Sequence, residues 1–370
     1  MNTWRTLSAL LVLALSELAA LGQADGKLQI HYMDVGQGDG EVLISPKGQV
    51  VLFDDGVVKN CDKPVSYLQQ LGINKIDYHV ASHYHSDHIG CATQVFKEIA
   101  MPTVILDRGA DYPSTVYRNY ATLAGAARRS ATPGMEITLD EGSADPVKIK
   151  IVALNGNGTQ TTNENDLSLV AVVSFENFKT EFGGDLSGFD TANYKDIETS
   201  VAPLVGPIDV YKVHHHCSQY STNETWLSTT KPKVAIISTG DGNVYRHPTA
   251  DCLERLHRAG IKTYWTESGN GAEPDPLWDT VSGNIVIEVA PGAQTFTLTH
   301  GAGGSETYPI AAGGTPTTNT SPAAAQYAWS KNSSVYHFAN CRYVQNISAG
   351  NLMRGNSPPQ GKELHKGCPK

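Results

Sequence analysis

The stretch His83-Tyr84-His85-Ser86-Asp87-His88 follows an apolar strand signal at Tyr78–Ser82. Three imidazoles and a carboxylate fall on the segment leaving a strand, where they can converge on a small volume. Histidine suits zinc, manganese, iron and nickel, and a carboxylate adds capacity for hard cations. The His-x-His spacing points His83 and His85 the same way on an extended segment. Asp87 and His88 sit at the following bend, able to turn toward a second ion. A surface histidine cluster is the competing reading, and so dense a group directly after a buried strand disfavours it.

Around this stretch the chain alternates strand and helix signals. Leu28–Val35, Glu41–Ile44 and Val50–Asp54 read as strands of an antiparallel meander, with a Pro46-Lys47-Gly48 turn between the last two. Pro64–Leu71 has helical spacing and stops at Gly72, His88–Ile99 reads as a helix, and Thr103–Asp107 as a strand. The second half repeats the plan. Its strands are Val147–Leu154, Ser168–Phe175, Lys179–Phe182, Ile208–Val213, Val234–Ser238 and Lys262–Thr266. Its helices are Ala192–Val201, Asn223–Ser228 and Thr249–Ala259. Two blocks of strands, each flanked by helices, predict an α/β fold with a sheet-on-sheet core and helices outside.

Composition narrows the class. The 370 residues carry 28 Lys+Arg against 37 Asp+Glu, a net charge of −9, with 40% hydrophobic and 18% charged residues. That is too apolar and too weakly charged for a disordered chain. An acidic balance also excludes a passive nucleic-acid coat, which needs a basic surface to displace counterions. Arg5, the apolar run Leu7–Leu15 and the small-x-small site Gly22-Gln23-Ala24 predict a signal peptide over 1–24 and a secreted chain. No later run is long enough to span a bilayer, so no stable membrane association is expected after signal removal. The six cysteines, Cys61, Cys91, Cys217, Cys252, Cys341 and Cys368, form an even set without a CxxC pair. In an exported chain they read as disulfides. Asn157, Asn223, Asn319, Asn332 and Asn346 head glycosylation sequons, a weak signal in so Ser/Thr-rich a chain.

At Gly301 the composition turns to Gly, Thr, Pro and Ala. The expected layout is a main domain over 27–300, a linker over 301–325 and a small module over 326–370 that needs a staple. Within the module, His337, Cys341, His365 and Cys368 allow either a Cys₂His₂ zinc site or a Cys341–Cys368 disulfide, the latter suiting export better. Lys331, Arg342, Arg354, Lys362, Lys366 and Lys370 face only Glu363, making the module the best candidate for non-specific polyanion contact.

The His-x-His-x-Asp-His stretch after a strand resembles the signature of the metallo-β-lactamase fold. The fuller pattern is similar to the hydrolase domain of ComEC-type DNA-uptake proteins. That pattern comprises Met33–Asp39, Asp54-Asp55-Gly56, Ser82–Gly90, Asn165–Val170, Gly183-Gly184-Asp185-Leu186, Lys212–Ser218 with Ser221-Thr222, and Asn243–Pro248, in the family's order over about Lys27 to Thr299. The resemblance implies an αββα sandwich with two divalent metal ions, zinc or manganese, at one edge. It implies His83 and His85 on the first ion, Asp87 and His88 on the second, Asp185 bridging, and His247 as a further ligand of the second. Asp54 would orient a ligand histidine, and Asp39 is a candidate to touch the site or the substrate.

Three departures stand out. His214-His215-His216-Cys217-Ser218 replaces the family's His-His-Gly-Ser, so His215 and His216 align with the pair and Cys217 stands for Gly. His215 is favoured over His216 to touch a metal or the scissile phosphate. Cys217 is either a thiol beside the ions or half of a disulfide, with Cys252 as candidate partner. Cys91 stands where the family repeats Gly. The extra metal-binding His that lactamases carry is missing, and Asn165 and Ser168 stand there. The expectation is a secreted metal-dependent phosphodiesterase, a nuclease in which the ions activate a hydroxide. Asp87, His215 and His216 act in the chemistry, and nucleic acid or another phosphodiester is the substrate. Hydrolysis of a small ester, lactone or lactam, or metal binding without turnover, are the alternatives. Nothing in the sequence specifies an oligomeric state.

Overall fold

A computed structural model describes residues 24–301, 303–311 and 327–338, and much of 341–368. Residues 1–23 of the expected signal segment and 302 and 312–325 of the expected linker lie outside the described residues. The described residues divide into two units, one ending at Ala312 and the other running from Gly313 to Lys370.

The first unit is a four-layer α/β/β/α sandwich. Its strands, in chain order, are β1 (Leu28–Tyr32), β2 (Glu41–Ile44), β3 (Val50–Phe53), β4 (Tyr78–Val80), β5 (Val104–Asp107) and β6 (Arg128–Ser130). There follow β7 (Glu136–Leu139), β8 (Val147–Ala153), β9 (Val170–Phe175), β10 (Phe178–Phe182), β11 (Val210–Lys212) and β12 (Val234–Ile237). The last five are β13 (Lys262–Trp265), β14 (Asp279–Val281), β15 (Ile285–Val289), β16 (Thr295–His300) and β17 (Gly304–Pro309). One sheet has the order β17-β16-β15-β1-β2-β3-β4-β5-β6 and the other β14-β13-β12-β11-β10-β9-β8-β7. Each joins an antiparallel meander to a parallel run, β3 to β6 in one and β10 to β14 in the other.

The two-residue period of the strands sorts their side chains between layers. Leu28, Ile30 and Tyr32 of β1, Val51 and Phe53 of β3, Val147, Ile149 and Ile151 of β8, and Ala171, Val173 and Phe175 of β9 fill the space between the sheets. Phe53 and Phe182 stack there at 4.3 Å. The alternate positions Val42, Ile44, Val50 and Leu52 pack under helices α1 (Asp62–Gln70), α2 (Ala92–Glu98) and α3 (Thr115–Ala124). Val170, Val172, Tyr211 and Ala235 pack under α4 (Glu198–Val205), α5 (Glu224–Thr230) and α6 (Ala250–Arg258). With both faces covered, most strands read as near-continuous apolar runs.

The structure moves several expected boundaries. The Gly304–Pro309 stretch, expected to be linker, is strand β17, paired antiparallel with β16. Its Tyr308 ring lies 5.4 Å from Phe296 at the edge of the core, and Glu306 binds Lys262 at 3.0 Å, so a polar edge strand hides behind a Gly- and Thr-rich composition. Helix α2 begins at Ala92 rather than His88, because His88 and Ile89 still belong to the bend whose amides bond back to His85. Helix α4 runs Glu198–Val205 rather than Ala192–Val201, its first amides held by the Ser187 carbonyl. Helix α3, capped by the Ser114 hydroxyl on the Tyr117 amide, was not legible as an element.

The second unit is a small sheet of β18 (Tyr327–Ser330), β19 (Val335–Phe338), β20 (Leu352–Gly355) and β21 (Glu363–Leu364), in the order β20-β18-β19-β21. Its apolar cluster is only Ala328, Cys341, Val344 and Cys368 with a few flanking side chains, and a Cys341–Cys368 disulfide staples it. Of the two readings of these cysteines the structure forms the disulfide. Arg342 and Lys370, among its expected basic residues, lie outside the described residues. Among the described residues no helix is long and apolar enough to cross a membrane.

Candidate metal centre

The loops leaving β1, β3, β4, β10, β11 and β12 meet at one edge of the sandwich, where they bring the chemistry-bearing side chains together. Asp54 follows β3 with a left-handed φ of 48°. Its carboxylate accepts from the Ser82 amide at 2.8 Å and hydroxyl at 2.6 Å, and binds His88 Nδ1 at 2.7 Å. That contact leaves His88 Nε2 directed at Asp185 Oδ1, 3.2 Å away. His216 is fixed in the same manner: Nδ1 donates to the Ser238 carbonyl at 2.9 Å, and Nε2 lies 3.5 Å from Asp185 Oδ1 and 3.6 Å from Asp87 Oδ2. On the other side, His83 Nε2 is 3.0 Å from His85 Nδ1 and 3.8 Å from Asp185 Oδ2. His215 Nε2 is 3.7 Å from the same Oδ2 and accepts from the Asn165 amide at 3.1 Å.

Asp185 therefore stands between two groups, one carboxylate oxygen toward His88 and His216, the other toward His83 and His215. His88 Nε2, His216 Nε2 and Asp185 Oδ1 are buried without a hydrogen-bond partner. An unpaired buried polar atom costs about 1–3 kcal/mol, so three such atoms aimed at one another form a cradle for a cation. His83, His88 and Asp185 form one set whose donor atoms lie within 4.8 Å of each other, and Asp87, His88 and His216 form a second. The residues present fit divalent ions in charge, donor type and spacing.

Electrostatics agree with that reading. Burial opposes charge on His88 and His216, yet the Asp185 carboxylate, with Asp54 beside one and Asp39 beside the other, raises both, His216 to about 10. Asp185 itself is held well below the usual carboxylate range: burial works against ionisation, and His88, His215 and His216 overcome it. His83 and His247 are pushed down, chiefly by burial, His247 to about 3, and stay neutral.

Other expected residues take supporting places. Ser168 Oγ accepts from the Asp185 amide at 3.2 Å. Ser218 donates its amide to the His215 carbonyl at 2.9 Å and so closes the histidine turn, and its hydroxyl accepts from the Tyr220 amide at 3.3 Å. Asp39 pairs with buried Lys212 at 2.7 Å and lies 3.2 Å from His216 Nδ1. His85 and His247 both fall outside the donor sets among the described residues, whereas the sequence reading placed His85 on the first ion and His247 on the second. The His247 ring centroid is 5.4 Å from His215 and 6.0 Å from His216, and Asn243 clamps its backbone at both N–H and C=O. His216 instead faces Asp87 and Asp185.

Sequence reasoning missed three supports. Arg108 forms a bidentate pair with Glu164, at 2.9 and 2.6 Å, and Glu164 accepts the Tyr84 amide, pinning the His83–His85 segment. Asp55 bonds both His79 and the Cys91 amide. Lys212, a charge inside an apolar strand, was the one such signal visible in the chain. Two disulfides also grip the site loops: Cys61–Cys91 behind the His83–His88 bend, and Cys217–Cys252 directly after His216.

A family profile described as the metallo-beta-lactamase superfamily matches residues 42–241. The chain belongs to the metallo-beta-lactamase superfamily. It is a metal-dependent hydrolase of α/β/β/α architecture. It is similar to Recombination protein 2 of Haemophilus influenzae, 29% identical over 235 residues, covering 62% of this chain and 26% of that protein. It is also similar to ComE operon protein 3 of Bacillus subtilis, 26% identical over 262 residues, covering 65% of this chain and 32% of that protein. This superfamily member thus spans about a third or less of these curated relatives. Among solved structures it resembles a diphosphatase of the PhnP family, with 11% identity and a TM-score of 0.41 over 71% of this chain and 99% of that one.

Proposed function

We propose that this protein is an exported phosphodiesterase that cleaves nucleic acid. The observation that carries the reading is the Asp185 carboxylate set between two groups of imidazoles, beside Asn165 and Ser168. His83, His85 and Asp185 would hold one divalent ion, and Asp87, His88, His216 and Asp185 the other, with zinc and manganese the candidate metals. When bound, such ions polarise a phosphoryl oxygen and bring the pKa of water close to neutrality.

The chain's own groups do the rest. Asp185 and Asp87 would offset the charge of the ions, and Asp54 and the Ser238 carbonyl engage Nδ1 of His88 and His216 and so aim Nε2 of each at the centre. His215 is neutral, since burial pushes it down. Its Nε2 accepts from Asn165, so Nδ1 carries the hydrogen, and Nδ1 is buried without a partner. That N–H is a ready donor to an oxygen on which negative charge develops. His247 walls the same side.

Secretion is supported by the export-like N-terminus and by three disulfides, which persist in oxidising compartments. The similarity to Recombination protein 2 supports a DNA-related substrate, and the basic residues of the C-terminal unit support polyanion contact. The test is a panel of plasmid DNA, RNA, bis-p-nitrophenyl phosphate and a chromogenic lactam, each with added zinc or manganese and with chelator. Metal-dependent cleavage of the phosphodiesters is expected. Cleavage of the lactam alone would overturn the reading, and metal binding with no turnover would mark a binding protein.

A further inference from the structure

Aromatic side chains stand at the mouth of the centre. His85 and Asp87 are its partly exposed members, while His83, His88, Asp185 and His216 are buried. Around them stand tyrosines from separate loops. Tyr112 lies edge-on to His85, ring centroids 5.9 Å apart. Tyr194 lies edge-on to His215 at 5.8 Å and continues outward to Tyr220 at 4.9 Å. Tyr245 is nearly parallel to His247 at 5.8 Å and 62% exposed, beside Val244 at 84%. After burial, Glu164 acts most on the Tyr112 hydroxyl with a smaller effect of Asp87, Asp185 acts on Tyr194, and Asp87 with Asp185 act on Tyr245, in keeping with ring contacts that set all three beside the centre.

Two cations built into this edge are already committed, Lys212 to Asp39 and Arg108 to Glu164. A polynucleotide arriving here meets metal ligands and tyrosine faces, with exposed Arg246 next to Tyr245 in the chain. Tyr245 is exposed and Tyr112 and Tyr194 are half-buried, and unpaired bases stack on such ring faces whatever the sequence. A duplex keeps its bases stacked inside and offers such rings nothing, and a small diester has no neighbouring bases to place on them.

We propose that Tyr112, Tyr194 and Tyr245 form a base-stacking rim that selects single-stranded polynucleotide over duplex and over small diesters at this centre. The inference rests on the phosphodiesterase reading and specifies its substrate.

The test uses the full chain with manganese or zinc and compares four substrates: a single-stranded oligonucleotide, its duplex, an abasic strand of equal length and charge, and bis-p-nitrophenyl phosphate. Cleavage of the single strand is expected at a kcat/KM about tenfold or more above duplex and abasic strand, as one to two stacked bases imply. Tyr245→Ala and Tyr194→Ala should each lower the single-strand value by about tenfold more than they lower that for the small diester, while Tyr245→Phe and Tyr245→Trp should keep it. Equal rates on intact and abasic strands, or equal losses for Tyr245→Phe and Tyr245→Ala, would overturn the rim while leaving the phosphodiesterase reading intact. Failure of the small diester and all three polynucleotides together would overturn that reading and the rim with it.

Discussion

At the residue scale, single side chains hold the sandwich edge in its working form, and several were invisible in the sequence. The histidines could be read because metal ligands cluster in a short motif. The pairs Asp39–Lys212 and Arg108–Glu164 could not, because they join positions far apart in the chain, and Asp54 was reached only through the family resemblance, without its particular histidine. Lys212 illustrates the energetics. It is buried against Asp39, and removing one partner of a buried pair leaves the other charge uncompensated, at a cost of about 3–5 kcal/mol. Lys212→Met should therefore lower unfolding free energy by about that much in a denaturant titration, whereas Lys63→Met, on a half-exposed pair, should change it by less than about 1 kcal/mol. His31 supplies a pH effect away from the metal centre. Its Nε2 lies 3.3 Å from the Gln29 carbonyl oxygen and its Nδ1 2.9 Å from the Tyr67 hydroxyl, so Nε2 donates, Nδ1 accepts and the ring is neutral. Burial holds it down to about 4 from an ordinary value of 6.5. The unfolded chain thus takes up this proton first as pH falls. The stability His31 contributes is full above pH 6.5 and is lost progressively toward pH 4, about 3 kcal/mol in all. His31→Gln should flatten that part of the stability–pH curve, and an unchanged slope would contradict the burial argument.

At the element scale, the strands were legible because their two-residue alternation and β-branched content persist even where both faces are covered. Helix α3 and strands β6, β7 and β14 to β17 were not, since short or polar edge elements carry little periodic signal. The turn after β11 shows why the family departures make sense. His215, His216 and Cys217 take consecutive left-handed φ values of 50°, 53° and 63°. Such a conformation costs about 1–2 kcal/mol per residue other than glycine. At Cys217 a side chain is nonetheless kept, and its bond to Cys252 on α6 ties the histidine turn to the helix layer. Closing a loop of 35 residues stabilises by about 3–4 kcal/mol through the unfolded chain. Cys217→Ala with Cys252→Ala should lose about that amount. Cys217→Gly with Cys252→Ala should recover about 1 kcal/mol by relieving the left-handed strain. Equal melting temperatures for the two double variants would show that the strain is not felt at position 217.

At the scale of the whole molecule, the net charge of −9 first reads as an objection to a polyanionic substrate. The structure places part of that charge where it is used, with Asp39, Asp54, Asp87 and Asp185 converging on buried imidazoles. Metal ions supply the missing local positive charge, so their removal should be felt by the entire sandwich. Ligand that binds the folded chain alone stabilises it by about 4 kcal/mol at a thousandfold excess over Kd. Loading with zinc or manganese should raise the melting temperature by several degrees, and chelator should reverse it. Asp185→Asn, which weakens the contact common to both groups, should largely abolish the metal-induced rise. The measurement that bears most directly on the central claim is hydrolysis of bis-p-nitrophenyl phosphate by metal-stripped protein as divalent ion is returned stepwise, with metal content determined in parallel. The account predicts turnover that appears with bound metal, levels off near two ions per chain and is absent in Asp185→Asn. Full metal occupancy without phosphodiester hydrolysis, or equal turnover in Asp185→Asn, would contradict it.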